Sequence, residues 1–254
     1  MKKNFRNWIY SIVIIGSFLM LTASCKKGDD SNNPTSSGTV KDVDGNVYHT
    51  VIIGTQVWMV ENLQTTKYRN GDLIGTTIPD TLDINSQISP KYQWAFGGNE
   101  NNVAKYGRLY TWYAATDNRK IAPTGWHVPT DDEWTTLEDY LSNNLGISGS
   151  VAKTLAAKTD WSSSTIDGTI GNNLTKNNSS GFAALPGGYR LNLFNPIFRG
   201  VGNSGSWWSS TDSNAQYGWQ WFRSLHSTSN YVYRGNGGDG GTGTAGFSVR
   251  CVKD

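Results

Sequence analysis

The chain has 254 residues, with 22 basic and 20 acidic side chains and a formal net charge of +2. Eleven tryptophans, 12 tyrosines and 29 glycines accompany only 17% charged residues, which fits a strand-and-loop domain and argues against a helical bundle. No basic stripe points to nucleic acid, and two cysteines, Cys25 and Cys251, are too few for a disulfide framework.

Lys2, Lys3 and Arg6 precede an apolar run over residues 8–21, the pattern of a secretory leader. About 14 residues fall short of the roughly 20 that span a bilayer. Leu21-Thr22-Ala23-Ser24-Cys25 resembles the lipobox of bacterial lipoproteins, in which the cysteine becomes the first mature residue and its thiol takes a diacylglycerol. The usual leucine stands three positions before the cysteine, where this chain has Thr22. Residues 1–24 therefore read as a signal peptide and Cys25 as a lipidated membrane anchor. The stretch 25–38 is rich in Ser, Asn, Asp and Gly and reads as a disordered tether. Asp29-Asp30, just past the anchor, resembles the export signal of Bacteroidetes surface lipoproteins. The expected location is the outer membrane, facing outward. Loss of the leader leaves 19 basic residues against 20 acidic, a formal charge of −1. A lipidated Cys25 also leaves Cys251 alone, so a packed core must hold residues 39–254 together.

Within that domain, Asp44-Gly45 and Gly54-Thr55 separate three strand-like runs, predicting two hairpins that end at Glu61-Asn62-Leu63. Residues 69–102 read as long loops with one short strand near Tyr92–Phe96. Gly107–Ala115 is strand or short helix; its periodicity does not choose. Thr130 and Glu133 form a capping box, with Trp134, Leu137 and Leu141 on one face of the helix that follows, which Gly146 ends. A shorter helix is expected over Ser150–Lys158. Phe182–Arg190 reads as a strand entering a tight turn and Trp207–Thr211 as a strand. A hairpin joins Tyr217–Leu225 to Asn230–Arg234, and Phe247–Val252 is the final strand. Alternation should send one of Trp207 and Trp208 inward and the other outward, and should put Trp219 and Trp221 on one face.

Seven stretches, in order, carry a family resemblance. They are Ile53–Leu63 (IGTQVWMVENL), Gly107–Tyr110 (GRLY), Pro123–Pro129 (PTGWHVP), Asp132–Trp134, Gly181–Arg190 (GFAALPGGYR), Trp207–Thr211 (WWSST) and Gly246–Val252 (GFSVRCV). Together they resemble the Fibrobacter succinogenes major paralogous (FISUMP) domain. Many relatives have Cys where Ala122 stands, so this chain lacks the bridge that such a cysteine would allow. More distantly, the order Pro-Thr-x-x-Glu-Trp, Trp-Ser-Ser, Gly-Phe-x-Val-Arg is similar to C-type-lectin-like and formylglycine-generating domains. That similarity implies an α+β, C-type-lectin-like mixed fold of short antiparallel strands, one or two helices and long loops, whose terminal strands pair as neighbours.

No catalytic set emerges. The formylglycine-generating relatives use two active-site cysteines, whereas Cys251 stands alone in an expected core strand. His49, His127 and His226 are isolated, without metal-ligand spacing. His127 can be read as a base or as a structural hydrogen-bonder. Glu133 could serve as an acid, but the capping box already accounts for it. Asp239, in the glycine-rich Gly235–Gly241 loop, is the candidate Ca²⁺ ligand; plain flexible loop is the other reading. For a contact surface, the candidates are aromatic and polar residues outside the family stretches: Tyr217, Arg223, His226, Asn230, Tyr231, Tyr233 and Arg234. The expected function is a non-enzymatic surface module that binds a glycan or a protein. The alternatives are a structural envelope scaffold and a hydrolytic enzyme with an unrecognised carboxylate site.

Overall fold

The computed structural model describes residues 35–144, 150–192, 196–214, 219–236 and 242–254. Residues 1–34, with the expected leader, Cys25 and most of the stretch read as tether, lie outside them, as do Gly146, Tyr217 and Asp239. All described residues belong to the unit Asn32–Asp254.

The chain runs through β1 (Thr35–Lys41), β2 (Val47–Ile53), β3 (Gln56–Met59), β4 (Gln93–Trp94), α1 (Val103–Tyr106), β5 (Leu109–Tyr110) and α2 (Trp112–Ala115). It continues through β6 (Trp126–His127), α3 (Asp131–Asn144), α4 (Val151–Leu155), β7 (Gly187–Leu191), β8 (Ile197–Val201) and β9 (Ser204–Asn214). It ends with β10 (Trp219–His226), β11 (Tyr233–Gly235), β12 (Phe247–Ser248) and β13 (Val252–Lys253). This is a mixed α+β fold. One sheet has the order β1-β2-β3-β13-β6, and a larger one has β11-β10-β9-β12-β5-β4, with β7 beside β9 and β8 beside β7. Among the described residues, no helix is long and apolar enough to cross a membrane.

The opening meander follows the turn signals, with Ile53 opposite Gln56 across Gly54-Thr55. Paired backbone begins at Thr35, opposite Ile52, so β1 takes up the last residues of the stretch read as tether. The ambiguous run Gly107–Ala115 resolves into both alternatives, β5 and then α2, which Thr111 caps by accepting from the Ala114 amide. The capping box at α3 forms in full. Glu133 Oε2 accepts from the Thr130 amide at 2.8 Å, and Thr130 Oγ1 accepts from the Glu133 amide at 3.2 Å. Trp134, Leu137 and Leu141 are buried on one face, as the spacing requires.

Four expectations are corrected. Residues 182–186 are not strand, and the extended segment starts at Gly187. Between Arg190 and Trp207, where the sequence signals no strand, the chain forms β8, which pairs with β7. Phe247–Val252 is two short strands in different sheets: β12 joins the larger sheet, and β13 lies between β3 and β6. The chain crosses between the sheets at Val249–Cys251, held by bonds from the Leu63 amide to the Val249 carbonyl (2.8 Å) and from the Met59 amide to the Cys251 carbonyl (3.0 Å). Finally, the terminal strands share a sheet without touching, because β2 and β3 separate β1 from β13.

At the crossing sits Arg250, which is fully buried. Among the described residues no carboxylate bonds to it. Its Nε and Nη2 donate to Asn62 Oδ1 at 3.2 and 2.8 Å, its Nη1 donates to the Phe182 carbonyl, and its guanidinium stacks on the Phe182 ring at 4.3 Å. Burial pulls its pKa down to about 9, which still leaves it charged near neutrality. Asn62 Oδ1 also accepts from Trp207 Nε1 at 2.8 Å, and Asn62 Nδ2 donates to the Tyr106 carbonyl at 2.8 Å. The chain at Gly107 passes so close that a Cβ there would lie 2.6 Å from Asn62 Cβ, on a backbone with φ +74°. Five of the seven family stretches therefore meet at the Asn62–Arg250 pair.

Asn62→Ala leaves the Trp207 indole N–H and a buried guanidinium without their acceptor. It should destabilise the domain by about 3 kcal/mol or more. Urea denaturation checks this as a lower midpoint at an unchanged slope.

Candidate functional site

Of the predicted contact residues, Tyr217 lies outside the described residues, and the other six lie on β10, β11 and the turn between them. Arg223 is not at the surface. Its strand partner Trp207 places it on the face that α3 covers, and it is 1% exposed. Its Nη1 reaches Asp131 Oδ1 and its Nε reaches Glu138 Oε1, both at 2.5 Å, and its Nη2 donates to Thr135 Oγ1 at 3.1 Å. Arg223 is thus an internal strut between β10 and α3. His226 is half-buried with Nε2 3.3 Å from Ser224 Oγ, and burial lowers its pKa. Tyr233 is half-buried too, because its ring packs against Phe222 at a centroid distance of 6.2 Å.

Asn230, Tyr231 and Arg234 are exposed, Tyr231 at 58%. Arg234 lies opposite Arg223 on the neighbouring strand and shares Asp131 with it, its Nη2 donating to Oδ2 at 2.6 Å. Burial opposes the Asp131 charge, but bonds from Arg234 and Arg223 outweigh it and hold the carboxyl below its usual pKa. The free face of the Arg234 guanidinium lies 3.6 Å over the Trp221 ring. Trp221 and Trp219 are both half-buried, flanking the buried Gln220. The result is a ledge of indole and guanidinium at the β11 end of the larger sheet, with the Tyr231 phenol and the Asn230 amide exposed on the turn that leads into β11. Trp221 is absent from the predicted list, although its position two residues from Arg223 on the same strand face would have found it.

Trp207 and Trp208 contradict the one-in, one-out expectation, since they are 1% and 0% exposed. The sheet is covered on both faces. Trp207 packs with Trp58, Trp134 and Phe182, and Trp208 packs with Phe222, Phe247 and Tyr110.

His127 stands at the mouth of a second feature, an open cleft of about 240 Å³. Its Nδ1 lies 2.7 Å from Asp254 Oδ1 and its Nε2 lies 2.8 Å from Glu133 Oε1, so carboxylates engage both ring nitrogens. Burial alone would lower its pKa; the bonds to Asp254 and Glu133 outweigh that and raise it above 6.5. Cys251 is fully buried and free, and burial pushes its thiol pKa well above the usual range. Among the described residues no group of three His, Cys, Asp or Glu side chains is placed to hold a metal.

Two tests follow from these bonds. Arg223→Met leaves the part-buried Glu138 without its arginine and Asp131 with Arg234 alone, and should cost about 3 kcal/mol, whereas Arg234→Gln at the half-exposed rim should cost under about 1 kcal/mol. Paired denaturation curves would show the contrast. For His127, a folded pKa raised above 6.5 means that its contribution is complete below pH 6.5 and fades as pH rises through the folded value. The stability gap between the wild type and His127→Gln should therefore be larger at pH 6 than at pH 9, measured by denaturation at both.

Comparison with curated proteins and with solved structures yields no match. Residues 51–253 match the Fibrobacter succinogenes major domain family, a span that includes Asn62, Arg250, the cleft and the ledge. The chain belongs to the Fibrobacter succinogenes major domain family.

Proposed function

We propose that this chain is a non-enzymatic binding module of the bacterial outer membrane, anchored through lipid on Cys25 and facing outward, which contacts a glycan or a surface protein through the β10–β11 ledge. The carrying observation is Trp221 beneath Arg234 at the end of an open sheet, with Tyr231 and Asn230 exposed on the turn that leads into β11. The guanidinium spread over the indole presents donors to a glycan's hydroxyls, and tryptophan, tyrosine and arginine dominate the energetics of protein contacts. The bonding of the reactive side chains supports the same reading. His127, Asp131, Glu133 and Arg223 all make short bonds to other parts of the fold, which suits positioning better than turnover. The Ca²⁺ role of Asp239 remains part of the proposal and enters the test.

The test applies the full chain, in detergent, to a glycan and mucin array with calcium and with chelator. A photo-crosslinking residue at position 231 on intact cells runs in parallel. The expected result is binding, or a defined crosslinked partner, that Trp221→Ala weakens about tenfold or more. Loss with chelator would assign calcium to the contact. Binding indifferent to Trp221→Ala removes the ledge, and a blank array with no crosslinked partner removes the binding module.

A further inference from the structure

The cleft beside His127 is a feature that the ledge does not use. Its floor is apolar and nearly fully buried, built from Ala115, Ile121, Ala122, Trp126 and Val128. Its polar rim consists of Thr116, Asp117, Lys120, His127 and Ser210. This composition, an apolar wall with a few convergent polar groups, is that of small-molecule sites. Its volume of about 240 Å³ lies below the ~300–1,000 Å³ that holds drug-sized ligands, so a single ring fits it better than a chain of sugars.

The charges around the rim decide the chemistry. The Asp117 side chain is 1% exposed and already paired with Lys91 Nζ at 2.6 Å and with Arg119 Nε at 2.9 Å. Arg119 also engages Asp72 at 3.0 Å. His127 sits between two carboxylates and carries no surplus positive charge. Lys120 is exposed, and among the described residues its ammonium has no ion-pair partner. The Ser210 hydroxyl, likewise, makes no hydrogen bond among the described residues. Thr116 Oγ1 donates to the Trp112 carbonyl at 2.9 Å, which leaves its lone pairs able to accept.

Lys120 also has an unusual backbone. Its φ is +63°, in the left-handed region that favours glycine. Two bonds lock it there, from its own amide to the Asp117 carbonyl (2.9 Å) and from the Arg69 amide to its carbonyl (2.8 Å). A glycine would close this turn without strain. Lysine closes it with strain and brings a cation to the cleft.

We propose that this cleft binds a small organic carboxylate, with its apolar body on the Ile121–Trp126–Val128 floor and its anionic group at Lys120 Nζ and Ser210 Oγ. The site is separate from the β10–β11 ledge, and its test does not depend on that reading.

The test uses fluorine NMR of the full chain in detergent, with 4-fluorobenzoate and its neutral counterpart 4-fluorobenzamide as probes and detergent alone as the blank. Line broadening by the chain should give a dissociation constant for the benzoate about tenfold or more below that for the benzamide, the size of one charge-assisted bond. Lys120→Asn, which suits the left-handed backbone but carries no charge, should abolish that preference. Lys120→Arg should keep most of it, and Ser210→Ala should weaken the benzoate about threefold. Equal affinity for the two probes, a preference that survives Lys120→Asn, or no broadening above the blank would each overturn the proposal.

Discussion

A buried charged guanidinium, bonded by no carboxylate among the described residues, sets the terms for this fold. Arg250 reaches the interior at the point where the last strand leaves one sheet for the other. A buried charge is tolerated only when its donors are matched. Here the amide oxygen of Asn62, the Phe182 carbonyl and the Phe182 ring do the matching. Asn62 in turn ties Trp207 and the Tyr106 carbonyl to the same point. Arg190 repeats the device nearby, donating to the carbonyls of Asp80 (3.0 Å) and Leu82 (2.7 Å) while stacking over Trp94, and so pins a long loop that has little regular structure of its own.

This economy separates scaffold from surface. The tryptophans in the family stretches fill two cores on opposite faces of the larger sheet, and the stretches' polar residues bond to one another. Side chains that meet solvent with bonding capacity to spare come largely from segments outside the stretches, on the β10–β11 hairpin and around Lys120. The capping segment at α3 borders both regions. Asp131 holds the arginines behind the ledge, while Glu133 holds the histidine at the cleft. A common belt of ion pairs thus positions two surfaces, and its Arg234 and His127 ends reach into them.

Much of the architecture was legible in residue order. The β1–β3 meander, the capping box at Thr130 and the β10–β11 hairpin follow local rules of turns, caps and alternation, and those rules hold here. What escaped is non-local. Alternation assigns faces to Trp207 and Trp208 but cannot say that both faces are covered, so one of the pair was expected in solvent. The final strand reads as one run because nothing in six residues reveals a change of sheet. Arg223 looks like any surface arginine until Asp131 and Glu138, more than 80 positions away in sequence, arrive beside it. The cleft is harder still, because its rim draws on β6, β9 and the turn at Lys120, which share no spacing signal.

The central claim is that Asn62 and Arg250 act as one unit on which both sheets depend. A double-mutant cycle with Asn62→Ala and Arg250→Met, followed by urea denaturation, measures that dependence directly. If Asn62 is what makes the buried charge tolerable, removing Arg250 should cost far less once Asn62 is gone, with a coupling energy of about 1.5 kcal/mol or more. Additivity to within about 0.5 kcal/mol would contradict the account and mean that the two residues stabilise the fold independently.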